Sequence, residues 1–457
     1  MRRIAIVGSG ITGLVAAHGL RRNGYDVTLY SDRTPEAWLN ESRPTGTAAR
    51  FDLALSYERE LELNFWDDVA PKGEGVFLTF CPTTHNQLIR LAGRLRQPFQ
   101  AVDVRLQSAR WMIELEKRGG RVVIEDVTAE KLDGIAREND LTIVAAGRRE
   151  LSALFEPNEQ RKVYTSPQRQ LAMVVVTGCP SRFDAVPFLP VRFDFLGTDG
   201  EIFFVPYFHK DAGACWNILV EAKRGSRMDR FDGVENGDQL VERVKAIVGE
   251  LFPWDGAFVA NMQLADPNGW LVGKVTPTIR RPAAMLPSGK AVTALGDTAI
   301  SYDPIAAQGA NSGVKQARHL VQAIVNRGSD AFDAGWIERT FEEFFGEHAR
   351  HAFNFSNVLL EPIPDGAKEL LIAQYGSDGR AGNRSPQQRI ANAFFENFND
   401  PRLLTSALTD VPMAREAIAH HSGGGWRWNG IRGRAAIAAN QARQRLTTAT
   451  RTGRTYR

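Results

Sequence analysis

Three glycines at the start of the chain carry its first recognisable chemistry. Gly8, Gly10 and Gly13 stand in Arg3-Ile4-Ala5-Ile6-Val7-Gly8-Ser9-Gly10-Ile11-Thr12-Gly13, where an apolar run ends in G-x-G-x-x-G. That spacing suits a dinucleotide pyrophosphate. Gly8 allows the tight turn, Gly10 lets phosphate approach bare backbone, and Gly13 lets the next helix lie close to the strand. The free N–H groups of that helix, at Ile11 and Thr12, then point at the phosphates.

Leu14, Ala17, Leu20 and Arg21 follow at helical spacing, Gly24 ends the helix, and Val27-Thr28-Leu29-Tyr30 resumes as a strand. An acid for the ribose hydroxyls is expected at the end of that second strand. Ser31 stands there instead, with Asp32 and Arg33 behind it, so the acid is displaced by one residue. These three are the expected ribose neighbours.

A second group lies far along the chain. Ala291-Val292-Thr293-Ala294-Leu295-Gly296-Asp297 reads as a buried strand ending in Gly-Asp, followed by Asp303-Pro304 and then Gln308-Gly309-Ala310-Asn311. Asp297 can accept from hydroxyls or backbone N–H groups, and Pro304 fixes a rigid turn. The helix opened by Gln308 to Asn311 offers amides and a positive dipole end to an anionic ring system.

These motifs need elements to hold them. A chain of 457 residues with 43% apolar and 24% charged residues is long and ordinary enough for two structural domains. No run of eighteen apolar residues occurs and the sequence starts directly in a strand, so neither a membrane span nor a signal peptide is expected, and the expected location is the cytoplasm. Cys81, Cys179 and Cys215 lack C-x-x-C spacing, which fits reduced thiols rather than a disulfide frame or a zinc site. The formal charge of +3 is unevenly placed. From Ser422 onward the chain carries Arg427, Arg432, Arg434, Arg443, Arg445, Arg451, Arg454 and Arg457 and no acid, a composition read as a disordered or partly helical appendage rather than a nucleic-acid module.

The expected fold is α/β. Residues 1–150 and 272–335 form a discontinuous Rossmann-like domain, 151–271 an inserted β-rich substrate domain, 336–421 a region of C-terminal helices, and 422–457 the tail. The β-rich region is marked by Leu171 to Val176, Val191 to Phe195, Glu201 to Val205 and Ala214 to Glu221, runs separated by turn residues. Phe341, Phe344 and Phe345, and later Ile390, Phe394 and Phe395, read as helix-packing stripes.

Taken together, the G-x-G-x-x-G start and the Gly-Asp strand before a glycine-rich helix resemble the FAD-binding fold of the para-hydroxybenzoate hydroxylase superfamily. Within it, Val27 to Arg33, Ala101-Val102-Asp103-Val104-Arg105-Leu106, Leu295-Gly296-Asp297, Asp303-Pro304, Gln308 to Asn311 and Glu396-Asn397-Phe398-Asn399 look like styrene and indole monooxygenases. The resemblance spans about residues 1–420. It implies FAD, reduced elsewhere by an NADH-dependent flavin reductase and captured here, with Arg105 and Gly147 joining the cofactor set. It also implies oxygen transfer from a C4a-peroxyflavin to an unsaturated, aromatic small molecule, most simply as epoxidation. No acid–base dyad is required, because the cofactor carries the hard chemistry. Ala146-Gly147 stands where single-component hydroxylases carry Asp-Gly, and there is no second G-x-G-x-x-G, so no direct nicotinamide route is evident.

The sequence departs from the family in the loop Arg43-Pro44-Thr45-Gly46-Thr47-Ala48-Ala49-Arg50-Phe51, where Gly46 and Ala48 enlarge the space and Arg50 adds a charge. An inward Arg50 favours an anionic substrate; an outward one, or one on a cofactor phosphate, does not. Phe204 and Pro206, in Phe203-Phe204-Val205-Pro206-Tyr207-Phe208, are the expected cavity wall. The alternatives are a single-component NAD(P)H-dependent hydroxylase and a non-catalytic flavin-binding protein with a basic recruitment tail. A halogenase is disfavoured because W-x-W-x-I-P is absent. No membrane or nucleic-acid partner is expected, and a homodimer stays open.

Overall fold

Ile4, Ala5, Ile6 and Val7 are all buried, as a strand covered on both faces requires. The computed structural model describes residues 1–452 apart from 85, 148 and 381–383. It opens with β1 (Arg3–Val7), α1 (Ile11–Arg22) and β2 (Asp26–Ser31). A hairpin of β3 (Gly73–Cys81) and β4 (Ile89–Ala101) precedes β5 (Arg121–Ile124) and β6 (Leu141–Val144). β7 (Arg169–Thr177), β8 (Pro190–Leu196), β9 (Gly200–His209) and β10 (Gly213–Lys223) follow in succession. β11 (Ala283–Met285) and β12 (Ala291–Ala294) lead to α2 (Gln308–Arg327), and the last described helix is α3 (Trp426–Thr452).

Six strands in the order β11-β12-β6-β1-β2-β5 form one sheet, parallel except between β11 and β12. Ile4 and Ile6 pack with Leu14, Val314 and Leu320 on the side of α1 and α2, while Ala5 and Val7 meet Phe341, Phe344 and Phe353 on the other. Segments before and after the β-rich run therefore share one sheet.

A second sheet places β7, β10, β9, β8, β3 and β4 side by side. Ala49–Arg50 extends it beside β4, and Gln263–Leu264 and Trp270–Gly273 both pair with β7. β3 enters parallel to β8. A hairpin from well before residue 150 thus completes the β-rich sheet, so the sheets do not divide where the expected domain boundary fell. On one face of β9, Ile202 and Phe204 pack beneath the helix Gly237–Leu251 through Leu240, Val244 and Val248. On the other, Phe203, Val205 and Tyr207 meet Phe51, Ile305, Phe355 and Phe395.

The region after α2 is helical, as the aromatic stripes predicted, and Phe341, Phe344, Phe345, Ile390 and Phe395 are buried there. No helix among the described residues is long and apolar enough to cross a membrane.

The basic tail, expected as a disordered or partly helical appendage, is helix α3 over 426–452, while Arg454 and Arg457 lie outside the described residues. Alanine, arginine and glutamine favour helix, and specific partners dock its first turns. Arg434 reaches Glu369 at 3.2 Å, the Arg415 guanidinium lies 4.4 Å from the Trp426 ring centre, and Gly433 passes so close to the preceding helices that a Cβ there would sit 2.0 Å from the Ile372 carbonyl oxygen. We expect Gly433→Val to lift α3 off the body: limited trypsin digestion then cuts rapidly at Arg432 and Arg434, while the melting of the remainder changes little. Equal digestion rates for the two proteins would show that the tail is not held there.

Candidate functional site

Four neighbouring strands deliver the two glycine motifs to one place. In the order β12-β6-β1-β2, parallel throughout, the C-terminal ends lead to Gly296, Gly147, Gly8 and Ser31 respectively. In open α/β sheets this edge is where ligands bind.

The three N-terminal glycines are required for different reasons. Gly8 has φ +121°, and a Cβ there would sit 2.6 Å from the Ala145 carbonyl oxygen. A Cβ on Gly13 would meet the Gly8 carbonyl oxygen at 2.1 Å. Gly10 is different: its φ is −74°, any residue can adopt that conformation, and nothing lies within 4 Å of the added Cβ. The fold does not need glycine at 10, but a phosphate against the backbone does. Gly10 also begins α1 without a side-chain cap, and no acid occupies the first turn, so the helix presents unneutralised amides and dipole to the cleft.

Behind this cradle the expected ribose neighbours are already engaged. Trp38 Nε1 donates to Ser9 Oγ at 3.0 Å, Ser9 and Ser31 share a hydrogen bond of 2.7 Å, and Ser31 Oγ donates to the Arg33 carbonyl at 2.6 Å. Ser31 is buried, its hydroxyl used within the chain. Arg33 grips Asp32 through Nε–Oδ1 at 3.1 Å and Nη2–Oδ2 at 2.6 Å and also reaches Ser42 Oγ at 2.9 Å. Of the three, the half-exposed Asp32–Arg33 pair remains the one placed to meet a ligand.

The second motif closes the other side. Gly296 has φ +64°, and its N–H is fixed by Gln316 Oε1 at 2.9 Å. Asp297 is exposed, yet enough protein surrounds it to raise its carboxyl above the ordinary range, with Arg280 opposing that rise. A Cβ on Gly309 would stand 3.8 Å from Asp297 Oδ1, which locates this carboxylate at the start of α2. Asp303 accepts from the Ile305 N–H at 3.2 Å, Pro304 begins the turn, and Ala307 takes a left-handed conformation with φ 52° before α2 starts, again with no side-chain cap. Gln308 Nε2 donates to the Ala306 and Phe398 carbonyls, leaving its buried Oε1 unpartnered. Asn311 is not aimed at the cleft: Nδ2 donates to the Ala49 and Ala307 carbonyls at 2.8 and 2.7 Å, and Oδ1 accepts from the Phe51 N–H at 2.8 Å. Ala310, in the first turn, is half-buried.

Buried charges below the cleft are paired. Glu201 and Glu221 stand directly opposite each other on β9 and β10. Arg169 holds Glu201 through Nε–Oε2 at 2.9 Å and Nη2–Oε1 at 3.2 Å. Burial and the Asp303 carboxylate push the Glu221 carboxyl well above the usual range.

Three expected contacts change. Arg50 does point inward, but Glu58 neutralises it in a buried ion pair and the Ala48 carbonyl accepts a second bond at 2.6 Å, so it supplies no free charge for an anionic substrate. Arg105 is taken up by partners within the chain, the Ser42 carbonyl at 3.4 Å among them. It is fully buried and bound to Asp103 and Asp266, each at 2.8 Å, and to His209 at 3.0 Å. Phe204 lies on the opposite face of β9, in the core under the helix Gly237–Leu251, and alternation puts Pro206 on that same face. The wall facing Phe51 and Ile305 is made by Phe203, Val205 and Tyr207. Residues 202–208 form an unbroken apolar run, so their sequence had no phase to reveal this; only Glu201 and His209 at its ends share the phase of the cleft-side residues. Of the loop residues, Gly46 has open space around it and Ala48 takes φ 49°.

A family model for the substrate binding domain of styrene monooxygenase A matches residues 147–257, and one for an NAD(P)-binding Rossmann-like domain matches 6–62. Styrene monooxygenase StyA of Pseudomonas fluorescens is 28% identical over 414 residues, covering 88% of this chain and 93% of that one. Styrene monooxygenase StyA of a Pseudomonas species is 30% identical over 408 residues with the same coverage. Among solved structures, a triple mutant of the flavin-dependent brominase Bmp2 superposes with a TM-score of 0.61 over 93% of this chain and 100% of its own at 13% identity, which shows a shared fold.

Two substitutions separate the cradle from its scaffold. Gly10→Leu is expected to melt within a degree or so of the parent while weakening FAD binding by roughly tenfold or more, measured by fluorescence titration, since the new side chain meets ligand and not protein. Removing one partner of a buried ion pair costs about 3–5 kcal/mol, so Arg50→Met should destabilise by that order in urea melts. The double variant Arg50→Met/Glu58→Met should recover most of it; a single variant within error of the parent would remove the pair from the account.

Proposed function

Because this chain belongs to the styrene monooxygenase family, we propose that it epoxidises an unsaturated aromatic substrate held between the 46–51 loop and the face of β9 that carries Phe203 and Val205. It is the oxygenase component of a two-component system and uses FAD reduced by a partner flavin reductase. The observation that supports this most is the pair of uncapped helix starts, α1 at Gly10 and α2 at Ala307, at the end of the same parallel sheet.

The residues present fit that cofactor. Gly10 and the α1 amides would hold the pyrophosphate, Asp32 with Arg33 the ribose end, and Asp297 with Gly309 and Ala310 the flavin end. When bound and reduced, FAD supplies two electrons to dioxygen, so that one oxygen atom goes to substrate and the other leaves as water. The chain itself needs to bind, orient and exclude water. The amides at the start of α2 favour negative charge on whatever lies against them, and Phe193, Phe203 and Val205 make a dry wall. With Arg50 neutralised by Glu58, that wall carries no net charge from the loop, which supports a neutral arene. The three cysteines are free, and burial pushes each thiol up to about 12, which supports inert thiols in a reducing cytosol.

The test is reconstitution. The purified chain with NADH or NADPH alone should show no substrate-stimulated nicotinamide oxidation. Supplied with chemically reduced FAD and oxygen, it should convert styrene-type alkenes to epoxides, followed by chiral gas chromatography. Substrate-dependent NAD(P)H consumption by the chain on its own would sink the two-component reading.

A further inference from the structure

Two buried donors on the cleft face of the second sheet have no partner. Tyr207 and Asn217 are both fully buried, and neither Tyr207 Oη nor Asn217 Nδ2 makes a hydrogen bond. In the β9–β10 register Tyr207 stands opposite Cys215 and Val205 opposite Asn217, so the two polar side chains are diagonal neighbours on one face, a spacing long side chains can bridge. Thr47 Oγ1 donates to Asn217 Oδ1 at 2.7 Å. That bond ties the amide to the loop and leaves its N–H end free. Phe203, Val205, Cys215, Ala49 and Ile305 belong to one packed apolar cluster with Tyr207, while Asp103, Arg105 and Arg50 lie within electrostatic reach of its hydroxyl.

Folded proteins rarely leave buried donors unpaired, and each such group signals a missing ligand or water. Neither donor is needed for water exclusion, where Phe and Leu would serve better. Resting on the reading of this cleft as the site of oxygenation, we propose that the substrate carries a hydrogen-bond acceptor, an ether, carbonyl or phenolic oxygen, on the ring that bears the reacting alkene, seated between Tyr207 Oη and Asn217 Nδ2. A plain hydrocarbon arene leaves both donors unsatisfied. Specificity then comes from the penalty on ligands that lack the acceptor, the situation in which a polar site discriminates most strongly.

The experiment compares isosteres. The FAD-loaded oxygenase is given meta- and para-methoxystyrene against meta- and para-ethylstyrene, which differ only in an oxygen for a methylene, and binding of the same four compounds is measured by calorimetry independently of turnover. A methoxy member should bind more tightly, and react with higher kcat/KM, than its ethyl partner by roughly tenfold. Tyr207→Phe, which removes one oxygen atom and no volume, and Asn217→Ala should each bring that ratio towards one. Equal binding of the isosteres, a preference that survives both substitutions, or no binding of any of the four overturns the proposal and leaves the donors to buried water. A binding preference present without any epoxide counts against the activity and not against the acceptor site.

Discussion

Thr12 occupies space that exists only because two distant residues lack side chains. Its side chain is where a Cβ on Gly296 would fall, at 3.1 Å, and its Oγ1 lies 2.4 Å from where a Cβ on Gly313 would stand. The first turn of α1 is thereby pressed against both the Gly-Asp turn and the second turn of α2. Gly13 brings the same turn down onto Gly8. These approaches set how far apart the two helix starts lie, and each start carries roughly half a positive charge with nothing from its own sequence to neutralise it. The architecture thus brings two helix starts without side-chain caps together along one sheet edge.

Charge elsewhere in the interior is handled in the opposite way. Arg105 is bound by Asp103 and Asp266, Arg169 by Glu201, and Arg192 by Asp194 and Asp255. Glu221, facing Glu201 across the strands, has no cation of its own among the described residues, and burial with the Asp303 carboxylate pushes its carboxyl well above the usual range. Such pairs contribute little net stability relative to apolar packing, because desolvation offsets most of their attraction. Their effect is to leave each of these buried guanidinium groups matched by a carboxylate.

Much of this was legible in the sequence. Gly8, Gly10 and Gly13, the Gly296-Asp297 strand end and the Asp303-Pro304 turn announced the turns that gather at one edge of the parallel sheet, because turn chemistry and strand continuity are local properties. What could not be read depends on partners distant in sequence or on register. Arg50 invites a role with substrate, but Glu58, eight residues on in the next helix, folds back to neutralise it, and the carboxylate that helps to hold Arg105 comes from Asp266, 161 residues along the chain. Phe204 was assigned to the wrong face because seven consecutive apolar residues carry no alternation. The pairing of the β3–β4 hairpin with β8 spans more than a hundred residues, and the docking of the tail's first turns rests on Glu369 and Ile372, far from it in sequence.

Ala48 and Ala307 both sit in the left-handed region, where an alanine costs on the order of 1 kcal/mol or more. One belongs to the loop beside the substrate wall, the other to the turn that starts α2, and a single side chain, Asn311, bonds to the Ala307 carbonyl and to the residues directly after Ala48. The two segments are mechanically one part. Neither can swing outward without breaking a bond to Asn311, so a displacement of the loop after Ala48 is passed to the start of α2 through one amide.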